Sequence, residues 1–249
     1  MLELLSDLRV DLAHSAARHG DGLFETIRVR AGAPCRLEAH LERLAAGARF
    51  LGLEPPPPAP VLRDFLAART GCAGLASGVL HLLAVDRTLR VAVAPWTPPG
   101  PEPLRLGLAD GLRRFSGSPL NRFKTLSYLE NRLLAREAEA RGLFEVVALN
   151  ESGRLTDGSR TSLFLELDGR LYTPPVADGA LPGVARRVLL EAGLAREAPL
   201  TGPDLARAEA VLLGNALRGA LPVRDWPGRR ARRDPDPELT ARAVALLEG

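Results

Sequence analysis

Apolar and polar residues alternate through "GLFETIRVR" (residues 22–30), the pattern of a strand with one buried face. The period then changes. Leu37, Leu41, Leu44, Ala48 and Leu51 recur every three or four residues, predicting an amphipathic helix that Gly52 and the proline run "EPPPPAP" end. Residues 60–69 predict a short second helix. "GVLHLLAVDRTLRVAVAP" reads as two strands joined at 86–88, and "PLRLGLAD" as another strand after the proline-rich stretch 95–103. The first half is thus a sheet with two helices. Periodicity stops over 111–121, so the expected division is an N-terminal domain (1–112), a connector (113–121) and a C-terminal domain (122–249).

Beyond the connector, "SYLENRLLAREAEARG" predicts a long helix with Leu129, Leu133, Leu134 and Ala138 on one face. "FEVVALN", the turn "ESG" and "RLTDGSRTSLFLEL" read as strand, turn and strand-loop-strand, with "DGR" turning into a strand at 171–173. A helix in "GVARRVLLEAG", strands in "EAVLLGNAL" and "ALPVRDW", and a helix from Pro237 complete an α/β pattern without internal repeats.

Composition narrows the function classes. A hydrophobic content of 46% over 249 residues is enough for a full core. Cys35 and Cys72 form no CxxC pattern, so a disulfide framework is not expected and a cytoplasmic, reducing compartment is. Glu3, Asp7 and Asp11 interrupt the leucines of "MLELLSDLRVDLAHS", unlike a signal peptide, and the longest uncharged stretch is shorter than the ~20 residues that span a bilayer. The net charge is +3, but acidic residues are interspersed with basic ones and aromatics are only 4%. The cluster "GRRARRD" therefore reads as a solvated loop before the last helix, with no nucleic-acid partner expected. His14, His19, His40 and His81 lack metal-ligand spacing, and Walker A, GxGxxG, GxSxG and HExxH motifs are absent.

One position stands out. Of the 33 lysine and arginine residues, only Lys124 is lysine. Arginine is an always-charged fork, whereas a desolvated lysine can lose its proton and attack a carbonyl. A chain this rich in arginine has a reason to keep lysine where a free amine does chemistry. The chain also has no glutamine and only four asparagines. Asn150, in "LNESGRL", fits a turn cap, and Asn121, Asn131 and Asn215 remain open.

The blocks "GDGLFETIRV", "RLEAHLERL", "FKTLSYLENRLLAREAEARG", "GRLTDGSRTSLF", "LPGVARRVLLEAG" and "LLGNALRGALPV" resemble, in order and spacing, the motifs of fold-type IV pyridoxal-phosphate enzymes. That family includes the branched-chain and D-amino acid aminotransferases and aminodeoxychorismate lyase. The resemblance implies a smaller N-terminal α/β sandwich domain, a C-terminal pseudo-barrel domain, pyridoxal 5'-phosphate in the cleft between them, and a homodimer. It implies that Lys124 forms the imine with the cofactor. Arg43, Val184 and Ala185 behind Gly183, and Asn215 match phosphate-binding positions, although aminotransferases often have threonine at the sites of Ala185 and Asn215. Tyr128 matches a position near the cofactor's phenolic oxygen, with a core aromatic as the other reading. Asp157 stands where the family uses glutamate to keep the pyridine nitrogen protonated, and Ser162 where many relatives carry asparagine. "NALRGALPV" and Ala185 are similar to the lyase branch, which implies elimination of pyruvate to give 4-aminobenzoate for folate synthesis. A transaminase, or a cofactor-binding relative without catalysis, is the alternative. The short 86–88 connection lacks the arginine-bearing loop of many relatives, which leaves Arg87, Arg122 and Arg160 as candidates for holding a substrate carboxylate.

Overall fold

The computed structural model describes residues 2–11, 13–98, 104–229 and 236–248. The chain forms two α/β units, one made of Met1–Pro99 with Phe123–Tyr128, the other of Gly100–Arg122 with Leu129–Gly249.

The first unit contains β1 (Glu3–Leu5), α1 (Ser15–His19), β2 (Leu23–Arg30), β3 (Ala33–Pro34), α2 (Leu37–Leu51), α3 (Ala59–Arg69), β4 (Ser77–Val85) and β5 (Thr88–Pro95). The sheet order is β1-β5-β4-β2-β3, antiparallel except for β1 beside β5. The alternation of β2 buries Leu23, Ile27 and Val29 in one core with Leu37, Leu41, Leu44 and Ala48 of α2 and Leu62 and Leu66 of α3. Each leucine fully removed from water stabilises by about 1.5–3 kcal/mol. The helix sits close on the strand: a Cβ at Gly47 would lie 2.8 Å from Leu23 Cδ2. Gly52, at φ 70°, ends α2 and donates its N–H to the Ala48 carbonyl, a left-handed cap suited to glycine.

The second unit contains β6 (Leu104–Arg114), α4 (Leu129–Ala140), β7 (Glu145–Asn150), β8 (Leu155–Gly158), β9 (Ser162–Leu167), β10 (Arg170–Thr173), α5 (Val184–Glu191), β11 (Ala195–Glu197), α6 (Gly202–Arg207), β12 (Ala210–Asn215), β13 (Gly219–Asp225) and α7 (Pro237–Glu248). Its sheet runs β11-β10-β9-β12-β13-β6-β7-β8. Asp168 and Gly169 turn β9 into β10 with positive φ at both positions, as a tight hairpin requires. No described helix is long and apolar enough to cross a membrane.

The division differs from the one read along the chain. β6 continues to Arg114 and pairs with β7 and β13, so 104–112 belong to the second sheet. A register shift between Leu108 and Arg113 breaks the two-residue period there, which is why the pattern seemed to end. Phe123–Tyr128 joins the first unit. The face assigned to α4 also needs correction: Leu134 and Ala138 are buried, but Leu129 and Leu133 are 65% and 45% exposed, so the two pairs lie on different sides. The short elements β1, α1, β3, β11 and α6 carry too few residues to show a period. Residues 230–235 of the basic cluster lie outside the described residues.

Replacing Gly47 by valine should overpack the contact with Leu23 and lower stability by about 1–3 kcal/mol in denaturant unfolding. Unchanged stability would mean that α2 can slide away from β2.

Candidate active site

Lys124 lies on an extended segment laid beside the start of β2. Phe24 N–H donates to the Lys124 carbonyl and Leu126 N–H to the Gly22 carbonyl, both at 2.9 Å, and Leu23 bridges Thr125. The glycines of "GDG" allow this approach. A Cβ at Gly20, whose φ is 72°, would fall 2.8 Å from Ser127 N, and one at Gly22 would fall 2.9 Å from the Ala84 carbonyl oxygen.

The lysine side chain is thereby placed on the β2 face that carries Phe24. Its Nζ is 3.7 Å from the Phe24 ring centroid and 4.8 Å from that of Tyr128. The two rings meet edge to face, 5.0 Å apart at 89°. A cavity of about 250 Å³ opens here, lined by Phe24, Glu25, His81, Leu83, Leu126 and Tyr128 among others. Burial, helped by the charge of Lys124, lowers the His81 pKa and favours the neutral imidazole.

Behind the cavity, Arg43 of α2 grips Glu25 of β2 with two hydrogen bonds, Nε at 2.7 Å and Nη2 at 2.6 Å, and His40 Nδ1 lies 2.8 Å from Glu25 Oε2. Glu25 is 1% exposed. Burial opposes its ionisation, but the Arg43 charge and the hydrogen bonds from His40 and Arg43 outweigh it and bring its pKa down to about 2.

In the second unit, Asp157 ends its strand as a buried carboxylate. Leu181 N–H donates to Oδ2 at 2.9 Å, and Arg114 Nη2 is 3.3 Å from Oδ1, which has no hydrogen-bond partner among the described residues. Burial raises the Asp157 pKa against the charge of Arg114. Glu145, fully buried, shapes the turn that follows: it accepts from Ser159 N–H at 3.0 Å, Arg160 N–H at 3.2 Å and Thr161 Oγ1 at 3.0 Å. Burial raises its pKa too. Val184 and Ala185 open α5, and their N-cap, Gly183, supplies no side-chain acceptor. A Cβ at Gly183 would lie 2.8 Å from Ser162 Oγ. Asn215 turns β12 into β13 by accepting from Leu217 N–H at 3.0 Å and Arg218 N–H at 2.8 Å, while its amide reaches the Arg160 carbonyl at 3.3 Å.

Arg43, Lys124 and Tyr128 thus fall in the first unit, and Asp157, Val184, Ala185 and Asn215 in the second. The arginine candidates separate. Arg87 is 65% exposed, 3.7 Å from Glu54. Arg122 is exposed in a 3-10 turn, and Arg160 lies over Phe144 with Nη2 donating to the Phe144 carbonyl at 3.2 Å. Asn150 caps its turn as expected, accepting from Ser152 and Arg154 N–H groups, and Asn121 and Asn131 donate to the carbonyls of Phe115 and Ser159. Glu25, His81, Arg114 and Glu145 were not singled out. The available signal was an acid at an inward position of β2, between Leu23 and Ile27, and an acid opening the apolar run of β7. Among the described residues no cluster of His, Cys, Asp and Glu could hold a metal.

The amino-transferase class IV profile matches residues 22–226, a span that includes the Lys124 segment, the Asp157 turn and the start of α5. The chain belongs to that family, the class of fold-type IV pyridoxal-phosphate enzymes. It is 29% identical to the "Bifunctional aminodeoxychorismate lyase / D-amino acid transaminase" of Mycobacterium tuberculosis, over 92% of this chain and 90% of that one. Its fold is similar to that of a Legionella pneumophila protein designated "Putative 4-amino-4-deoxychorismate lyase", with TM-score 0.86 and 25% identity over 99% and 98% of the two chains. It is also similar to the PLP-bound form of a hypothetical aminotransferase from M. tuberculosis, with TM-score 0.80 and 27% identity over 96% and 93%.

Arg43→Ala would strand Glu25 and should cost about 3–5 kcal/mol in unfolding free energy. In the unsubstituted protein, the depressed Glu25 pKa adds stability above its ordinary value of 4.5, and that contribution disappears as pH falls toward about 2. The variant should lose most of this acid dependence. An equal slope of stability against pH in both proteins would remove Glu25 as its source.

Proposed function

We propose that this chain binds pyridoxal 5'-phosphate and converts 4-amino-4-deoxychorismate to 4-aminobenzoate and pyruvate, a step of folate biosynthesis. The observation that carries the reading is Lys124: the chain's sole lysine, fixed by backbone pairing and presented over Phe24 and Tyr128 at a cavity. The donor set fits the cofactor. Asp157 Oδ1 is a buried acceptor without a hydrogen-bond partner among the described residues, suited to a protonated pyridine nitrogen. The first turn of α5, with glycine as its N-cap, suits a phosphate.

In this assignment Lys124 holds the cofactor's aldehyde, Arg43 and the N–H groups of Val184 and Ala185 bind the phosphate, and Asn215 shapes the turn beside it. Tyr128, beside the Lys124 amine, would take the part of the residue near the cofactor's phenolic oxygen. When bound, the cofactor supplies a sink for the electrons of a broken C–H bond. The Lys124 amine, displaced by the substrate's amine, accepts a ring proton while the C–O bond to the enolpyruvyl group breaks, and that group takes up a proton to leave as pyruvate. Neutral His81 adds no charge beside the amine. "NALRGALPV" and Ala185 support the lyase over a transaminase. The M. tuberculosis relative, whose name carries both activities, supports D-amino acid transamination as the second reading, in which Lys124 would serve as both base and acid for the moving proton. We also read the protein as a homodimer of a reducing compartment, which the exposed Leu129 and Leu133 and the unpaired Cys35 and Cys72 support.

The purified protein mixed with pyridoxal phosphate should show a visible absorption band that Lys124→Ala abolishes, with turnover falling on the order of 10³-fold or more. Aminobenzoate and pyruvate formed from aminodeoxychorismate would support the lyase. Bleaching of the band by L- or D-amino acids alone would favour the transaminase, and absence of the band would overturn both.

A further inference from the structure

The β2 face that carries Phe24 also carries Thr26 and Arg28, since side chains of one face recur every second residue. Their partners across the sheet extend it: Leu83, His81 and Val79 on β4, and Arg90, Ala92 and Ala94 on β5. Three arginines therefore share this face, Arg28 and Arg30 on β2 and Arg90 on β5, and they differ. Arg90 is paired, with Nη1 2.6 Å from Asp7 Oδ1. Arg28 has no acidic partner among the described residues. Its guanidinium lies 5.5 Å from the Trp96 ring centroid, and its Nε is buried without a hydrogen-bond partner. The platform under it is fixed, because Ser77 Oγ donates to the Trp96 carbonyl at 2.7 Å. The neighbours of Arg28 across the sheet, Val79 and Ala94, are small and uncharged. A partly buried guanidinium over an aromatic ring, beside small side chains and with its Nε unmet, is suited to receive a carboxylate.

We propose that Arg28 binds a substrate carboxylate remote from the reacting amine. This rests on the reading of Lys124 as the reacting amine. Phe24, beneath Lys124, and Arg28 are four residues apart on β2, roughly 13 Å at ~3.3 Å per residue. That spacing suits a carboxylate at the far end of the substrate rather than one on the carbon bearing the amine. The ring carboxylate of an aminocyclohexadiene, opposite the amine, or the distal carboxylate of a dicarboxylic acid is such a group, with the long Arg28 side chain spanning the rest of the distance. Arg28 takes the place of Arg87, Arg122 and Arg160, none of which lies on this face.

The test is calorimetric titration of cofactor-loaded protein with 4-aminobenzoate, with its uncharged counterpart 4-aminobenzamide, and with glutarate. Arg28→Gln should weaken 4-aminobenzoate, glutarate or both at least tenfold, about 1.4 kcal/mol, while aminobenzamide binding stays within twofold. Arg28→Lys should recover part of the loss. Unaltered aminobenzamide binding and an unaltered melting temperature show that the variant is folded. Dependence on Arg28 for 4-aminobenzoate alone assigns a ring carboxylate, and for glutarate alone a dicarboxylic acid. Equal weakening of all three ligands, or of none, overturns the proposal. If the protein takes up no pyridoxal phosphate, the functional reading fails on its own, and the same comparison on the protein as purified still decides the role of Arg28.

Discussion

The placing of the Lys124 amine depends on a short stretch of backbone pairing. The segment around Lys124 is far from β2 in sequence, yet two N–H···O bonds and one bridge lay it along the strand's first residues. The pairing sets which way the lysine projects, because a one-residue slip would turn the side chain to the opposite face. It also explains the glycine at 20, where a side chain would collide with the Ser127 backbone, and the one at 22, where it would meet the Leu126 side chain and the Ala84 carbonyl of β4. The amine is thus positioned by main-chain geometry and then flanked by Phe24 and Tyr128.

The buried acids show how partner geometry decides charge. Glu25 meets a guanidinium fork that makes two aligned hydrogen bonds, and the attraction exceeds the penalty of burial, so its pKa falls. Asp157 also has an arginine nearby, but Arg114 makes no aligned hydrogen bond to Oδ1, and burial prevails. Glu145 accepts only from neutral donors, with the Arg160 charge acting without an ion pair among the described residues, and burial prevails there too. The first acid therefore works as a fixed anion clamping α2 to β2. The second leaves Oδ1 without a hydrogen-bond partner among the described residues, while the third is a scaffold for the turn between β8 and β9.

Much of the fold was legible from period alone. β2, α2, β4, β5, β7, β9, α5 and α7 follow their patterns because each buries one face or a whole run. The pattern misled where a bulge shifted the register of β6, and on α4, where Leu129 and Leu133 look like core residues but face outward. The segments of Lys124, Asp157 and the α5 start could be singled out as candidates by motif order. The partners Arg114 and Glu145 could not, since a single arginine or glutamate in a strand carries no mark of what it meets.

By itself, then, the sequence determined the family and the elements with a strong period, and it singled out one lysine, because these are encoded in local order and in residue choice. Only the tertiary structure decided that the lysine segment pairs with β2, that Arg43 is clamped by Glu25, and that Arg28 rather than Arg87 shares the face of the amine. Those facts arise from contacts between residues distant in the chain, and a hydrogen bond or an ion pair leaves no trace in sequence until both partners have been brought within reach.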